Sequence, residues 1–276
     1  MIHRRDRTQR GIATDSVSVS SRATSARRQR RVRYKQVAQT AFATGMIGLG
    51  IFGLINGDFA EIWQSVPASV PGHRALAYAS AALMLVCSIG LLSKRTEALA
   101  ARVLFPYLAL LVLLVKIPVV VKHPLVEVAW QSMSEIVVVF TGGWVLFAAD
   151  KRAIRNAQRV FGLALIPLGL AHFVYLELTA PLVPAWLPYH TAWAYLTGAA
   201  QIAAGCGVVL GIYSRLAATM EAAMLSAFTG LVWIPAILAV PTSRPTWSEF
   251  TISWAVSAGA WVVAASFTNE NPVAAA

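Results

Sequence analysis

The sequence predicts an all-α membrane protein, with eight transmembrane helices arranged as two tandem four-helix bundles. Three observations carry this. The 276 residues are 57% hydrophobic and only 13% charged, too apolar for a soluble protein of this size. From about residue 37 the apolar residues fall into eight runs, each near the ~20 residues a helix needs to cross the hydrocarbon core. Proline, histidine and tryptophan recur along the chain at one fixed spacing, the mark of an internal repeat.

Residues 1–36 are polar, with Ser and Arg clusters and almost no large aliphatics. Such a segment buries too little surface to offset its ordering entropy and is expected to be a disordered, basic, cytoplasmic tail. RRQRRVRYK, ending at Lys35, stands directly before the first apolar run. It fits a positive-inside anchor touching anionic lipids of the bilayer; the alternative is a docking site for a soluble acidic partner. The net charge of +11 does not point to nucleic acid, because about half of the 23 Lys and Arg precede residue 36 and act on topology. A cleaved signal peptide is not expected, since the basic region is too long and the following helix continues into a fold. Cys87 and Cys206 lie alone in apolar runs, so no CxxC pair, zinc knuckle or haem attachment is present in the sequence.

The spans are expected at 37–56, 74–93, 97–121 and 126–149 in a first half (37–150), and at 156–178, 190–213, 216–240 and 246–267 in a second (151–267). A short tail, 268–276, follows. Lys94, Arg95, Arg102, Lys151, Arg152, Arg155, Arg159 and Arg215 fall on one side with the N-terminal tail, whereas the opposite loops hold only Arg74, Lys122 and Arg244. Both termini are therefore expected in the cytoplasm of a cell with the chain in its inner membrane. Kinks are expected near Pro118, Pro167 and Pro235, where neighbouring helices satisfy the freed carbonyls.

The halves align at an offset of 117. Pro67, Pro71, His73 and Tyr78 meet Pro184, Pro188, His190 and Tyr195; Ile117-Pro118 meets Ile234-Pro235; Trp130 and Trp144 meet Trp247 and Trp261. Two interruptions are expected: one residue in the first helix, where Gly53 to Asn56 falls on Gly169 to His172, and four residues around Gly90 and Gly211. Four spans per copy make the repeats parallel.

Residues 195–218, YLTGAAQIAAGCGVVLGIYSRLAA, combine one amide, Gln201, with small residues at Gly198, Ala199, Gly205 and Gly207 that permit close helix approach. A polar residue, Ile-x-x-Gly, an aliphatic run and then Gly-x-x-Ser-Arg-Leu-Ala-Ala resembles the second helix and following turn of the DoxX family of four-helix membrane proteins. The resemblance spans residues 40–267, once per half, and is plainer in the second. Many DoxX members carry an acidic residue where Gln201 stands. The resemblance implies a membrane redox function with a quinone as cofactor or substrate, and a soluble redox partner. An oxidoreductase subunit is implied too, although the chain carries no recognisable redox centre of its own.

Ionisable groups within hydrocarbon are costly and need a reason. Lys116 ends the third span and Glu127 begins the fourth, so they are expected to pair across the hairpin. Glu135 lies near mid-bilayer, either protonated or paired, and suits a proton-handling role or a neutral hydrogen-bonded acid. In the second half His172, Tyr175, Glu177, Tyr189, His190, Trp193, Arg244, Trp247 and Glu249 gather toward the outer side, with Gln201 deeper. From these, His172, Gln201, His190, Glu249 and Trp193 are the candidate ligand residues, lining a mouth suited to a quinone or another flat amphipathic molecule. The alternative is an interfacial aromatic belt with ordinary helix ends. Glu221 is expected near the cytoplasmic face, with Arg215 as the nearest available partner. No metal site is expected, because the histidines lack ligand spacing on one helix, and no phosphate loop or catalytic triad is present. The function alternative to a redox subunit is a non-enzymatic membrane protein, either a proton or small-solute pathway or a scaffold.

Overall fold

The computed structural model describes residues 5–60 and 63–267, and among these the only regular structure is helical. The predicted tail 268–276 lies outside the described residues. By packing the chain divides into Met1–Val37 and Ala38–Ala276.

Among the described residues eight long helices follow in order: α1 (Arg5–Asn56), α2 (His73–Leu91), α3 (Glu97–Lys122), α4 (Glu127–Phe147), α5 (Lys151–Val174), α6 (His190–Leu210), α7 (Ser214–Ala239) and α8 (Arg244–Ser266). α1 starts at Arg5, which differs from the irregular tail predicted to residue 36. The Arg, Gln and Ala of this stretch are good helix formers, which favours helix over an irregular tail. Asp150 caps α5 by accepting from the Ala153 N–H at 2.8 Å, and Gly211 ends α6 at φ 77°, a conformation open to glycine without strain.

Among the described residues six helices are long and apolar enough to cross a membrane: Arg28–Asn56, His73–Leu91, Glu97–Lys122, Lys151–Val174, His190–Leu210 and Ser214–Ala239. Their outward faces are aliphatic, as at Val86, Leu114, Val121 and Leu238, all about 70% exposed. Surface of that kind is unusual on a soluble monomer. The predicted spans 126–149 and 246–267 fall on α4 and α8, which are as long but are not among these six. α8 packs on α4, α5 and α7, and α4 packs on α3, α5 and α8.

α4 and α8 cross through glycine. A Cβ on Gly142 would stand 2.9 Å from Gly259 Cα and 3.1 Å from the Phe42 ring. Around this crossing α1 lies on α8, where Trp254 Nε1 donates to the Ala41 carbonyl at 3.0 Å, and α5 lies on α4. α1 also meets α2, with Gly50 and Gly53 against Ala81 and Leu85.

α3 and α7 each contain a widened, π-helical stretch, Leu111–Lys116 and Thr229–Trp233, and each has proline two residues beyond it, Pro118 and Pro235. A proline ring clashes with the carbonyl one turn back, and widening that turn relieves the clash without breaking the helix. Helix starts at His73, Glu97 and Ile117 return at His190, Ser214 and Ile234, each 117 residues further. The four-residue interruption predicted around Gly90 and Gly211 is thus absent: Gly90 lies against Ala100, and Gly207 against Ala217, at the same spacing.

Candidate functional site

The polar interior of the second half is positioned by a close, glycine-lined helix contact. α5 and α6 touch backbone to backbone: a Cβ on Gly169 would stand 2.5 Å from the Gly198 carbonyl oxygen, and one on Gly205 would stand 2.6 Å from that of Gly162. Only glycine permits this approach. It brings His172 on α5 against Thr197 on α6, with His172 Nδ1 and Thr197 Oγ1 3.3 Å apart. The threonine hydroxyl donates to the carbonyls of Trp193 and Ala194 at 2.9 and 3.0 Å. The His172 ring lies 6.0 Å from that of Phe228 on α7.

One turn further along α6, Gln201 Nε2 donates to Glu221 Oε1 on α7 at 3.1 Å. Both residues are almost fully enclosed, 2% and 1% exposed. Gln201 Oε1 and Glu221 Oε2 are buried with no hydrogen-bond partner. Each such atom costs ~1–3 kcal/mol, so this pair is not explained by stability. The predicted neighbour of Glu221, Arg215, is replaced by Gln201: residues six apart on one helix do not share a face, whereas the α6–α7 contact brings an amide to hand.

A second polar group lies where the halves meet. Lys116, only 2% exposed, donates to Ser65 Oγ at 3.1 Å and to Ser132 Oγ at 2.5 Å, and it feels the field of Glu135. Glu135 in turn lies in the field of Glu249, Lys116 and Glu127. The predicted Lys116–Glu127 pair does not form, since both Glu127 oxygens are buried without a partner. The widened turn of α3 directs Lys116 to the serines instead.

The predicted mouth of the second half therefore divides. His172 and Gln201 line the interior of the second half. Glu249 joins the central group with Lys116 and Glu135. His190 opens α6 with its Nε2 buried and without a partner. Trp193 is 39% exposed and contributes its carbonyl to Thr197. Trp247 Nε1 is held by the Pro241 carbonyl at 2.9 Å, and Tyr175 OH accepts from the Val128 N–H at 3.2 Å, so both are fastenings of helix ends. Among the described residues no group of three His, Cys, Asp or Glu could hold a metal ion.

The sequence did not reveal a third network, in the first half. Trp63 is wholly buried and Gln64 is 3% exposed. Gln64 Nε2 donates to Ser80 Oγ at 3.0 Å and Tyr107 OH at 2.8 Å, its Oε1 accepts from the Ala60 N–H at 3.1 Å, and Ser80 and Tyr107 are themselves bonded at 2.6 Å. The available signal was a Trp-Gln pair in a loop whose helices carry Ser80 and Tyr107 among apolar residues.

Residues 161–256 match a family described as a domain of unknown function (DUF8561). The matched stretch contains His172, Thr197, Gln201, Glu221 and Glu249. No curated protein and no solved structure matches the chain.

Proposed function

We propose that the chain is an eight-span inner-membrane protein formed by fusion of two DoxX-like four-helix units, and that it serves a quinone-linked redox system as a subunit or accessory. The duplication is supported by geometry that returns 117 residues further. Gly72 and Tyr189 both precede their helices in the left-handed conformation, at φ 71° and 59°. Trp130 and Trp247 each donate to the carbonyl six residues back, both at 2.9 Å. Gly53 meets Ala81 as Gly169, 116 residues further, meets Gly198. The end of the bundle carrying Lys94, Arg95, Lys151, Arg152 and Arg215 faces the cytoplasm under the positive-inside rule.

The observation that carries the function is the Gln201–Glu221 pair, buried in a lipid-embedded bundle with one polar atom of each side chain without a partner. Glu221 sets beside Gln201 the carboxyl that many DoxX members carry at the Gln201 position. An enclosed amide and carboxyl beneath His172, Thr197 and Phe228 suit the polar edge of a flat ring, with Glu221 able to take or give a proton as the ring changes redox state. The test is organic extraction of protein purified from its native membrane, together with the redox state of the quinone pool in a deletion strain. Bound quinone or a shifted pool is expected; neither would refute the reading.

Lys116, Glu135 and Glu249 favour a second reading, a proton or small-solute pathway between the halves. Flux into protein-loaded vesicles that Glu135→Gln abolishes, without any bound quinone, would favour it over the first.

A further inference from the structure

We propose that the second half seats one hydroxyl-bearing aromatic ring against Gln201 and Glu221, near the place that the first half fills with its own Trp63 and Gln64. This rests on the ring-binding function proposed above and adds which redox form is held, and how many molecules.

The two halves answer the same structural problem differently. In the first, the loop after α1 buries an indole completely and hands the Gln64 amide to Ser80 on α2 and Tyr107 on α3. The corresponding positions in the second half, 117 residues further, are Thr197 on α6 and Met224 on α7. There the loop contributes nothing to the interior, because no residue of 175–189 is buried. Gln201 and Glu221 lie about one helical turn deeper than Thr197 and Met224. Their counterparts in the first half are Met84 and Leu104, each 1% exposed and apolar. Where the loop supplies its own polar group, the floor beneath it is hydrocarbon. Where the loop stays outside, the floor carries two buried polar atoms without partners.

The chemistry of those atoms selects the guest. Gln201 Nε2 is already engaged with Glu221 Oε1 through one of its two N–H groups, and Oε1 is the amide atom left without any partner. Glu221 Oε2 accepts when the carboxyl is ionised and donates when it is protonated. A hydroxyl can donate to Gln201 Oε1 and can also meet Glu221 in either state. A carbonyl oxygen has no proton for Gln201 Oε1 and leaves it unsatisfied. The site therefore prefers the hydroquinone form of a ring to the quinone form, with Phe228 and His172 beside the ring.

The experiment is anaerobic equilibrium dialysis of the full chain in lipid nanodiscs with trimethylhydroquinone and with trimethylquinone. One hydroquinone per chain is expected, bound at least about tenfold more tightly than the quinone, the effect of one hydrogen bond to a buried acceptor. Gln201→Met and Glu221→Leu install the residues of positions 84 and 104, which the fold already accommodates. Each is expected to weaken hydroquinone binding about tenfold and quinone binding much less, while melting stays cooperative. Equal affinity for the two forms, two molecules per chain, or affinity unchanged in both variants would overturn this inference and leave a ring-binding protein in place. Binding of neither form to the native chain would remove the proposed function as well.

Discussion

Gly142→Ala tests the helix crossing on which the whole arrangement of α4 and α8 depends. A Cβ there would stand 2.9 Å from Gly259 Cα, whereas ordinary contact begins at 3.4 Å, and its other near neighbours are the Phe42 ring and the Gly259 carbonyl. The clash is with backbone, so no side-chain rotation relieves it. The two helices must part by about half an ångström along a buried seam, and overpacking of this kind costs ~1–3 kcal/mol. Gly259→Ala meets the same seam from the other side, with Val138 O at 3.0 Å and Val139 Cα at 3.2 Å. Once the helices have parted for one methyl group, the second costs less, so the double variant should lose less than the sum of the singles. Gly230→Ala is the control, because nothing stands within 4 Å of its added Cβ. Thermal unfolding in detergent, followed by tryptophan fluorescence, reads all four proteins. A Gly142→Ala protein that melts with the native one would refute the crossing.

Three other outcomes follow from the polar networks and the charge distribution. Gln64→Leu strands the Ala60 N–H and removes a donor from both Ser80 and Tyr107, and should cost ~1–3 kcal/mol in the same melting assay. Lys116→Met removes the donor to Ser65 and Ser132 and one partner of a buried charge pair, so stability should fall by ~1–3 kcal/mol, and Glu135 should become reactive toward hydrophobic carbodiimide once its cationic neighbour is gone. In a cysteine-free background, Arg95→Cys should be protected from a membrane-impermeant maleimide added to intact cells and Arg244→Cys should be labelled. The reverse pattern would invert the topology.

Much of the fold was legible because lipid imposes length and apolarity on each helix. The periodic recurrence of Pro118 and Pro235, or of Trp130 and Trp247, marked helix positions that the coordinates place in matching surroundings. Legibility failed where a side chain's partner comes from a distant helix. The Lys116–Glu127 expectation used nearness in sequence, whereas the widened turn of α3 and the loop at Ser65 decide where Lys116 goes. Glu221 could not be paired from its own helix because its partner lies on α6. Gln64 stayed hidden for the same reason: loop residues are ordinarily solvated, and nothing local says that this one enters the bundle.

On the proposed duplication, the identical features and the divergent ones separate along the helices in a way that bears on function. Glycine contacts, proline-relieved turns and indole fastenings return at 117 residues because they set backbone geometry, and a fused pair needs both copies to fit one seam. The interior polar residues do not return: Ser80 and Tyr107 face Thr197 and Met224, and Met84 and Leu104 face Gln201 and Glu221. Selection for stability alone would drive both interiors toward paired polar atoms, as at Gln64 in the first half, although Trp63 Nε1 beside it is buried without a partner. The second half instead retains an amide and a carboxyl with buried atoms unsatisfied, at a cost of ~1–3 kcal/mol for each. On the reading proposed here, a fold that closes one copy with its own loop and leaves the other copy's loop outside separates the scaffold from the proposed site.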